Sequence, residues 1–170
     1  MSAVLTTTCP SPLGPLLLAC DEAGLTGLWF QGQRHFALGL PPSARPGGHP
    51  HLQAAQAWLQ AYFAACPLPP PPPLNPQGTP FQQRVWQALL RIPHGQTVTY
   101  GQLAGLLNAS APGPKTSPRA VGHAVGRNPI ALVVPCHRVV GAGGRLTGYA
   151  AGLDRKRRLL ELEGVFKPHL

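Results

Sequence analysis

In the first third of the chain, short apolar runs alternate with polar turns. Residues 14–20 read GPLLLAC, DEAG follows at 21–24, and LTGLWF fills 25–30. Apolar runs of this length flanking a short turn predict a β-hairpin or small antiparallel sheet. The period then changes. In HLQAAQAWLQAYFAA, residues 51–65, Leu52, Ala55, Leu59, Tyr62 and Phe63 recur at helical spacing, predicting a helix packed on that sheet. Next comes CPLPPPPPLNP, with consecutive prolines from 69 to 73. Proline donates to neither a helix nor a ladder, so this stretch predicts an extended polyproline connector at a domain boundary. The expected organisation is an N-terminal α/β domain over 1–66, a proline-rich linker over 67–77 and a C-terminal domain over 78–170.

Beyond the linker the helix signals sharpen. TPFQQRVWQALLRI offers Thr79 as N-cap, Pro80 at the first helical position and Gln82 to complete a capping box. TYGQLAGLLN repeats the box with Thr99 and Gln102, and its apolar face is Leu103, Leu106 and Leu107. SPRAVGHAVGRN opens with Ser117 as a third cap, so two short helices joined by a loop predict a helix-turn-helix. IALVV at 130–134 reads as a strand running up to Pro135, and GAGG at 141–144 reads as the turn of a wing. A last helix is expected from about 153 to 163, ending at Gly164. The fold class is therefore an α/β domain, a small antiparallel sheet plus a helix, followed by a mainly α, winged-helix-like DNA-binding domain.

Composition sharpens that picture through charge. The chain is 44% hydrophobic and 11% charged, so it folds rather than staying disordered. Of its 14 Lys and Arg residues only Arg34 and Arg45 precede residue 76, where Asp21 and Glu22 balance them; the whole net charge of +9 falls in the second half. Such asymmetry points to a polyanion partner for that half. No apolar run is long enough to span a bilayer, and the start of the chain lacks the basic and apolar regions of a signal peptide, so a cytoplasmic protein without membrane contact is expected. Cys9, Cys20, Cys66 and Cys136 form no CxxC pair and read as free thiols. Cys9, Cys20 and His35 lack any standard ligand spacing, so no metal and no cofactor is assigned.

The helix expected from 118 to 127 places Arg119 among very small neighbours, Ala120, Gly122 and Gly126, with His123 beside them. Readers of the major groove project long polar side chains to base edges. A helix of Ala and Gly can instead approach a narrow groove closely and insert one side chain. Tight helix packing would also explain the small residues. Beside the charge asymmetry, the face favours DNA binding by shape.

The most reactive candidate lies in VVPCHRVVG, residues 133–141, where Cys136 stands beside His137 and Arg138. A continuous strand would point Cys136 and His137 to opposite faces, so activation of the thiol requires a turn there or a bridging water. Either arrangement is expected to lower the thiol pKa. Glu163, in the last turn of the final helix, opposes the macrodipole and invites a specific partner. It could orient His137 in a Cys–His–Glu relay, or pair with a surface arginine such as Arg158.

NPIALVVPCHRVVGAGGRLTGYAAGLDRKRRLLELEG, preceded in order by FQQRVWQALL, TVTYGQLA and RAVGHAVGRNP, resembles the O6-alkylguanine-DNA alkyltransferases. The match spans about residues 78–164; SPLGPLLLACDEAGL resembles the family's smaller N-terminal domain more weakly. The resemblance implies irreversible, single-turnover transfer of an alkyl group from O6-alkylguanine in duplex DNA, with O4-alkylthymine a further candidate, after nucleotide flipping. By the same resemblance Cys136 is the acceptor, His137 its base through a water, Glu163 the carboxylate that orients the histidine, and Asn128 the hinge brace. Arg119 would fill the gap left by the flipped nucleotide, and the small face with Ala120 and Gly122 would enter the minor groove. Tyr100 would press on the adjacent phosphate and bond the guanine, Tyr149 would line the pocket, and the backbones of Val139 and Ala150 would bond the base. Double-stranded DNA is the implied partner, met by a monomer or by a cooperative assembly.

The chain departs from the family pattern in the connector NASAPGPKTSP, which is longer and richer in proline and could add a contact through Lys115. Ala150 stands where some relatives have serine. The main competing reading is a non-catalytic module that recognises alkylguanine, which the presence of Cys136 disfavours. An unrelated cysteine hydrolase and a plain winged-helix binder leave either the basic half or the activated cysteine unexplained.

Overall fold

A computed structural model describes residues 3–166 of the chain. Contacts divide it into two compact units: Met1–Gln77 with Pro129–Val133, and Gly78–Asn128 with Val134–Leu170.

The first unit is a helix on a sheet. Strands β1 (Leu5–Cys9), β2 (Leu16–Cys20), β3 (Leu25–Phe30) and β4 (Arg45–Pro46) form a sheet in the order β3-β2-β1-β4. The β1–β2 and β2–β3 pairs are antiparallel, while β4 adds to β1 in parallel. The expected hairpin is thus β2–β3, and its turn is fixed by Asp21 Oδ1, which accepts from the backbone of Ala23 and Gly24. Helix α1 (Pro50–Phe63) packs on the sheet and buries Leu52, Ala55, Trp58, Leu59 and Tyr62. Each fully buried leucine in such a layer contributes roughly 1.5–3 kcal/mol. On β3 the Trp29 indole lies over Gly27, where a Cβ would fall 1.9 Å from the ring.

The proline-rich connector has no helix, and it is fastened to the sheet at one point. Leu25 N donates to Pro73 O at 2.7 Å and Asn75 N to Leu25 O at 2.8 Å, so Leu74 adds one parallel bridge to the free edge of β3. Gly24 permits this approach, because a Cβ there would sit 2.3 Å from Pro73 O. The apolar stretch 130–134 does not form the expected strand. Ile130 makes a single bridge to Leu28, Leu132 takes φ +71, and Val133 N turns back to Ala131 O. β-branched composition favours a strand, but one bridge supplies too little ladder to hold one.

The second unit is mainly helical. It contains α2 (Pro80–Leu89), β5 (Val98–Thr99), α3 (Tyr100–Ser110), α4 (Pro118–Gly126), β6 (Val139–Val140) and α5 (Leu153–Leu162), with 3-10 turns at Cys136–Arg138 and Ala142–Gly144. The capping boxes form as predicted: Thr79 with Gln82 opens α2, and Thr99 with Gln102 opens α3; of the three leucines expected to be buried on α3, Leu103 and Leu107 are, but Leu106 is 60% exposed. Ser117 caps α4 through Ala120 N. Helices α2, α3 and α4 pack together, and Trp86 Nε1 donates to Ala124 O at 2.9 Å across the α2–α4 contact. The expected wing is a tight turn with Gly143 and Gly144 at positive φ, closed by Gly141 N donating to Arg145 O at 2.7 Å. Its leading strand β6 pairs in parallel with β5. No described helix is long and apolar enough to cross a membrane.

Candidate active site and DNA interface

Pro135 is followed at once by the 3-10 turn Cys136–Arg138, closed by Arg138 N donating to Pro135 O and Val139 N donating to Cys136 O. The turn breaks the strand alternation that would have pointed Cys136 and His137 to opposite faces. All three side chains of the turn are buried.

Behind the turn, α5 delivers Glu163 at its C-cap. His137 Nε2 lies 2.6 Å from Glu163 Oε2. The same carboxylate accepts from Arg138, Nε to Oε1 at 2.7 Å and Nη2 to Oε2 at 3.2 Å. Arg138 Nη1 donates in turn to Ile92 O at 2.7 Å. Glu163 is therefore held by the turn itself and not by Arg158, which is exposed. Its place at the helix end is explained by its two buried partners, His137 and Arg138, either of which would be left unpaired without it.

The electrostatics follow from this sharing. Burial lowers the His137 pKa, with Arg138 and Lys156 adding to the effect while Glu163 opposes it. We assign a neutral imidazole whose Nε2–H donates to Glu163, leaving Nδ1 as an acceptor. Nδ1 is buried without a hydrogen-bonding partner among the described residues. A neutral ring with its basic nitrogen free is what a general base needs.

The thiol corrects one expectation. Burial pushes the Cys136 pKa up, not down. The forces favouring the thiolate are real but smaller: hydrogen bonding by Asn128, the charge of Lys156, the turn's own backbone and hydrogen bonding by Tyr149. Desolvation of a sulfur that is only 7% exposed outweighs them, so the resting group is a thiol.

Asn128, buried at the end of α4, also donates Nδ2 to Val134 O at 2.8 Å, bracing the segment that leads into the turn. Tyr100, the first residue of α3, donates its hydroxyl to Thr147 O at 3.4 Å and is partly buried. Val139 is buried in β6, whereas Ala150 is half-buried beside Tyr149 with no contact that singles it out. The sequence-predicted residues Cys136, His137, Glu163, Asn128 and Tyr149 are thus brought together.

Arg119, Ala120 and Gly122 form a different group, on α4, where Arg119 and Ala120 are exposed. A Cβ on Gly122 would meet the Tyr100 ring at 3.6 Å, so the glycine brings that aromatic surface against the helix. The long connector ahead of α4 is stapled by Asn108, whose Oδ1 accepts from Thr116 N at 2.7 Å and whose Nδ2 donates to Thr116 O at 3.0 Å. Beneath it lies a cavity of about 410 Å³ with Arg84 and Lys115 in its lining. Sequence reasoning gave no role to Arg138 or Lys156. Their basic character was visible, but the signal of a function, complete burial of a cation, is not local in sequence.

With this geometry in place, comparison with known proteins is informative. Residues 80–165 match the 6-O-methylguanine DNA methyltransferase DNA-binding domain, and residues 4–69 match the ribonuclease-like domain of the same family. The methylated-DNA–protein-cysteine methyltransferase of Methanosarcina acetivorans is 48% identical over 91% of this chain and 94% of its own length. That of Mycobacterium bovis is 47% identical over 92% and 90%. Among solved structures, Mycobacterium tuberculosis OGT in complex with DNA superposes with a TM-score of 0.78 at 46% identity, covering 95% of this chain and 92% of that one.

Proposed function

The chain belongs to the 6-O-methylguanine DNA methyltransferase family, and from that premise we propose that it repairs alkylated DNA by moving the alkyl group from O6-alkylguanine onto its own Cys136. The observation that carries this reading is the buried turn in which Cys136 is followed by a neutral His137 held by Glu163.

The alkyl carbon of such a lesion lies within the base stack, so the nucleotide must leave the duplex, at a cost of a few kcal/mol. The small face of α4, with Ala120 and Gly122, lets the helix sit deep in the minor groove while Arg119 enters the vacated space. Tyr100 presses on the neighbouring phosphate and reaches the guanine. Tyr149 and the backbones of Val139 and Ala150 hold the flipped base. O4-alkylthymine in the same pocket would present an equivalent leaving oxygen.

His137 Nδ1 then takes the Cys136 proton through a water while Glu163 steadies the developing imidazolium. The sulfur attacks the alkyl carbon in line, the C–O6 bond breaks with its electron pair passing to oxygen, and the guanine regains a proton. Asn128 and Tyr149 stabilise the sulfur as it becomes negative. The product thioether has no good leaving group, so each molecule reacts once.

The division of labour follows the two-domain organisation: all groups assigned to chemistry and DNA fall within 78–170, with 1–66 as the N-terminal domain and 67–77 as linker. A monomer suffices, because every assigned group is on one chain; cooperative assembly on DNA would add affinity without changing the chemistry. The cytoplasm, where thiols stay reduced, suits a reagent of this kind. A single-turnover experiment tests the reading: stoichiometric loss of O6-methylguanine from a duplex, ending at one equivalent, is expected. Repeated turnover, or tight lesion binding without transfer, would contradict it.

A further inference from the structure

The helix that brings Glu163 to His137 carries a second buried charge on the same face. Lys156, Leu159, Leu160 and Glu163 follow the i, i+3, i+4, i+7 spacing of one helical face, and all four are buried. Lys156 is 0% exposed, whereas its neighbours Arg157 and Arg158 reach solvent. A lysine with a flexible four-carbon stem near a surface helix ordinarily places its ammonium in water. This one is turned inward, so something fixed must hold it.

What holds it is the pocket wall. Lys156 Nζ donates to Thr147 O at 2.9 Å and to Gly148 O at 3.1 Å. Thr147 O is also the acceptor for the Tyr100 hydroxyl, and Gly148, at φ +49, immediately precedes Tyr149. One ammonium thus fixes the two carbonyls that position both tyrosines of the proposed base pocket. The ionisable groups it faces are Cys136 and His137 on the turn, with Tyr100 one hydrogen bond away through Thr147. Of these, Cys136 and His137 respond to its charge in useful directions: the sulfur is helped to ionise and the imidazole to stay neutral.

We propose that Lys156 is a positioning residue for alkyl transfer, holding the Thr147–Gly148 wall in place and setting a fixed positive charge beside the sulfur that must become a thiolate. The inference rests on the reading of Cys136 as the acceptor. In this arrangement α5 works on both partners of the proton transfer, Glu163 on the base and Lys156 on the nucleophile. Burial brings the Lys156 pKa down to about 8, and the Cys136 thiolate acts to raise it. The lysine is accordingly charged at neutral pH, when the sulfur ionises.

The test uses the full-length protein and Lys156→Met, which keeps the length of the side chain and removes the charge. The first readout is the rate of Cys136 carboxamidomethylation by iodoacetamide at pH 7, followed peptide by peptide so that Cys9, Cys20 and Cys66 do not interfere. It needs no DNA, so it stands or falls apart from the repair reaction. At that pH the lysine is charged and the sulfur is mostly thiol, and alkylation is expected to slow about tenfold in the variant, as loss of a nearby positive charge that shifts the thiol by about one pH unit does. The second readout is methyl transfer at saturating O6-methylguanine duplex, expected to slow about tenfold at pH 7 for that shift, with the Kd for DNA changed less than about twofold. Lys156→Arg should restore part of the alkylation rate because its charge remains.

If Lys156→Met fails to fold, the native protein answers the question. Its lysines are Lys115, Lys156 and Lys167, few enough to follow individually by carbon-13 NMR at Cε. One should titrate near pH 8, and the rise of Cys136 alkylation with pH should flatten through that same midpoint as the charge beside the sulfur is lost. An unchanged alkylation rate at pH 7 in folded Lys156→Met, or native alkylation that keeps rising unaltered through the Lys156 titration, would overturn the proposal. Absence of methyl transfer by the native protein, with the thiol shift intact, would instead fault the repair reading alone.

Discussion

The turn at Cys136–Arg138 and the helix α4 belong to the same compact unit but follow opposite rules. In the turn every side chain is buried, and nearly every polar atom is matched: Glu163 serves both His137 and Arg138, and Arg138 also reaches Ile92 O. On α4 the outward face carries Arg119 and His123 among very small residues, and Arg119, Ala120 and His123 lie open to solvent. The first region obtains its chemistry from what surrounds it; the second offers DNA a surface of small residues from which Arg119 and His123 project. The difference teaches where each should be sensitive. Changes in the turn should harm folding and chemistry together, whereas changes on α4 should harm only the encounter with DNA.

The severest break is Glu163→Gln. It leaves the Arg138 guanidinium buried without a counter-charge, a loss of about 3–5 kcal/mol when one partner of a buried pair is removed. Denaturant unfolding should show that loss, and transfer should slow in the protein that remains folded. Stability within about 1 kcal/mol of the parent would mean that the carboxylate's two contacts are not what holds the turn.

Arg119→Ala sharpens the other side of the comparison. Stability should not change, and carboxamidomethylation of Cys136 should keep its rate. Methyl transfer from duplex DNA should fall by roughly 10- to 100-fold, since the inserted side chain offsets part of a flipping cost of a few kcal/mol. An equal fall in thiol reactivity would show that the helix acts on the site and not on the DNA.

Acid separates the regions by a different route. The His137 pKa is depressed from its ordinary 6.5, chiefly by burial. The folded state therefore binds fewer protons than the unfolded chain below pH 6.5, and His137 contributes stability that is present above that value and lost as pH falls through its lower folded pKa. The rate of transfer should hold from neutrality down to about 6.5 and decline only below it. A midpoint at or above the ordinary histidine value would contradict a neutral, buried base.

The mildest test is Ser117→Ala, which removes the α4 cap. It should cost about 1 kcal/mol of stability and weaken DNA binding slightly, with the thiol untouched.

How much of this was legible before the structure depended on the range of each interaction. The caps at Thr79, Thr99 and Ser117 are written within four residues and formed as read. The pairing of His137 with Glu163 spans 26 residues, yet chemistry suggested it, because a carboxylate misplaced at a helix C-terminus asks for a partner. The competing partner Arg158 was excluded only by three-dimensional placement. Arg138 and Lys156 were beyond reach, since nothing local tells a buried cation from an exposed one. The stretch 130–134 misled because β-branched residues announce a strand whether or not a neighbour exists to pair with it. The thiol misled because neighbours that favour ionisation are visible in sequence, while the larger effect of burial is not.

The central claim, that Cys136 is the acceptor of a stoichiometric transfer, is tested most directly by intact-protein mass. The protein is mixed with a duplex carrying one O6-methylguanine, and Cys136→Ala serves as the control. The account predicts a gain of one methyl group per molecule, located on the Cys136 peptide and absent from the control. No gain in the native protein, or the same gain in Cys136→Ala, would contradict it.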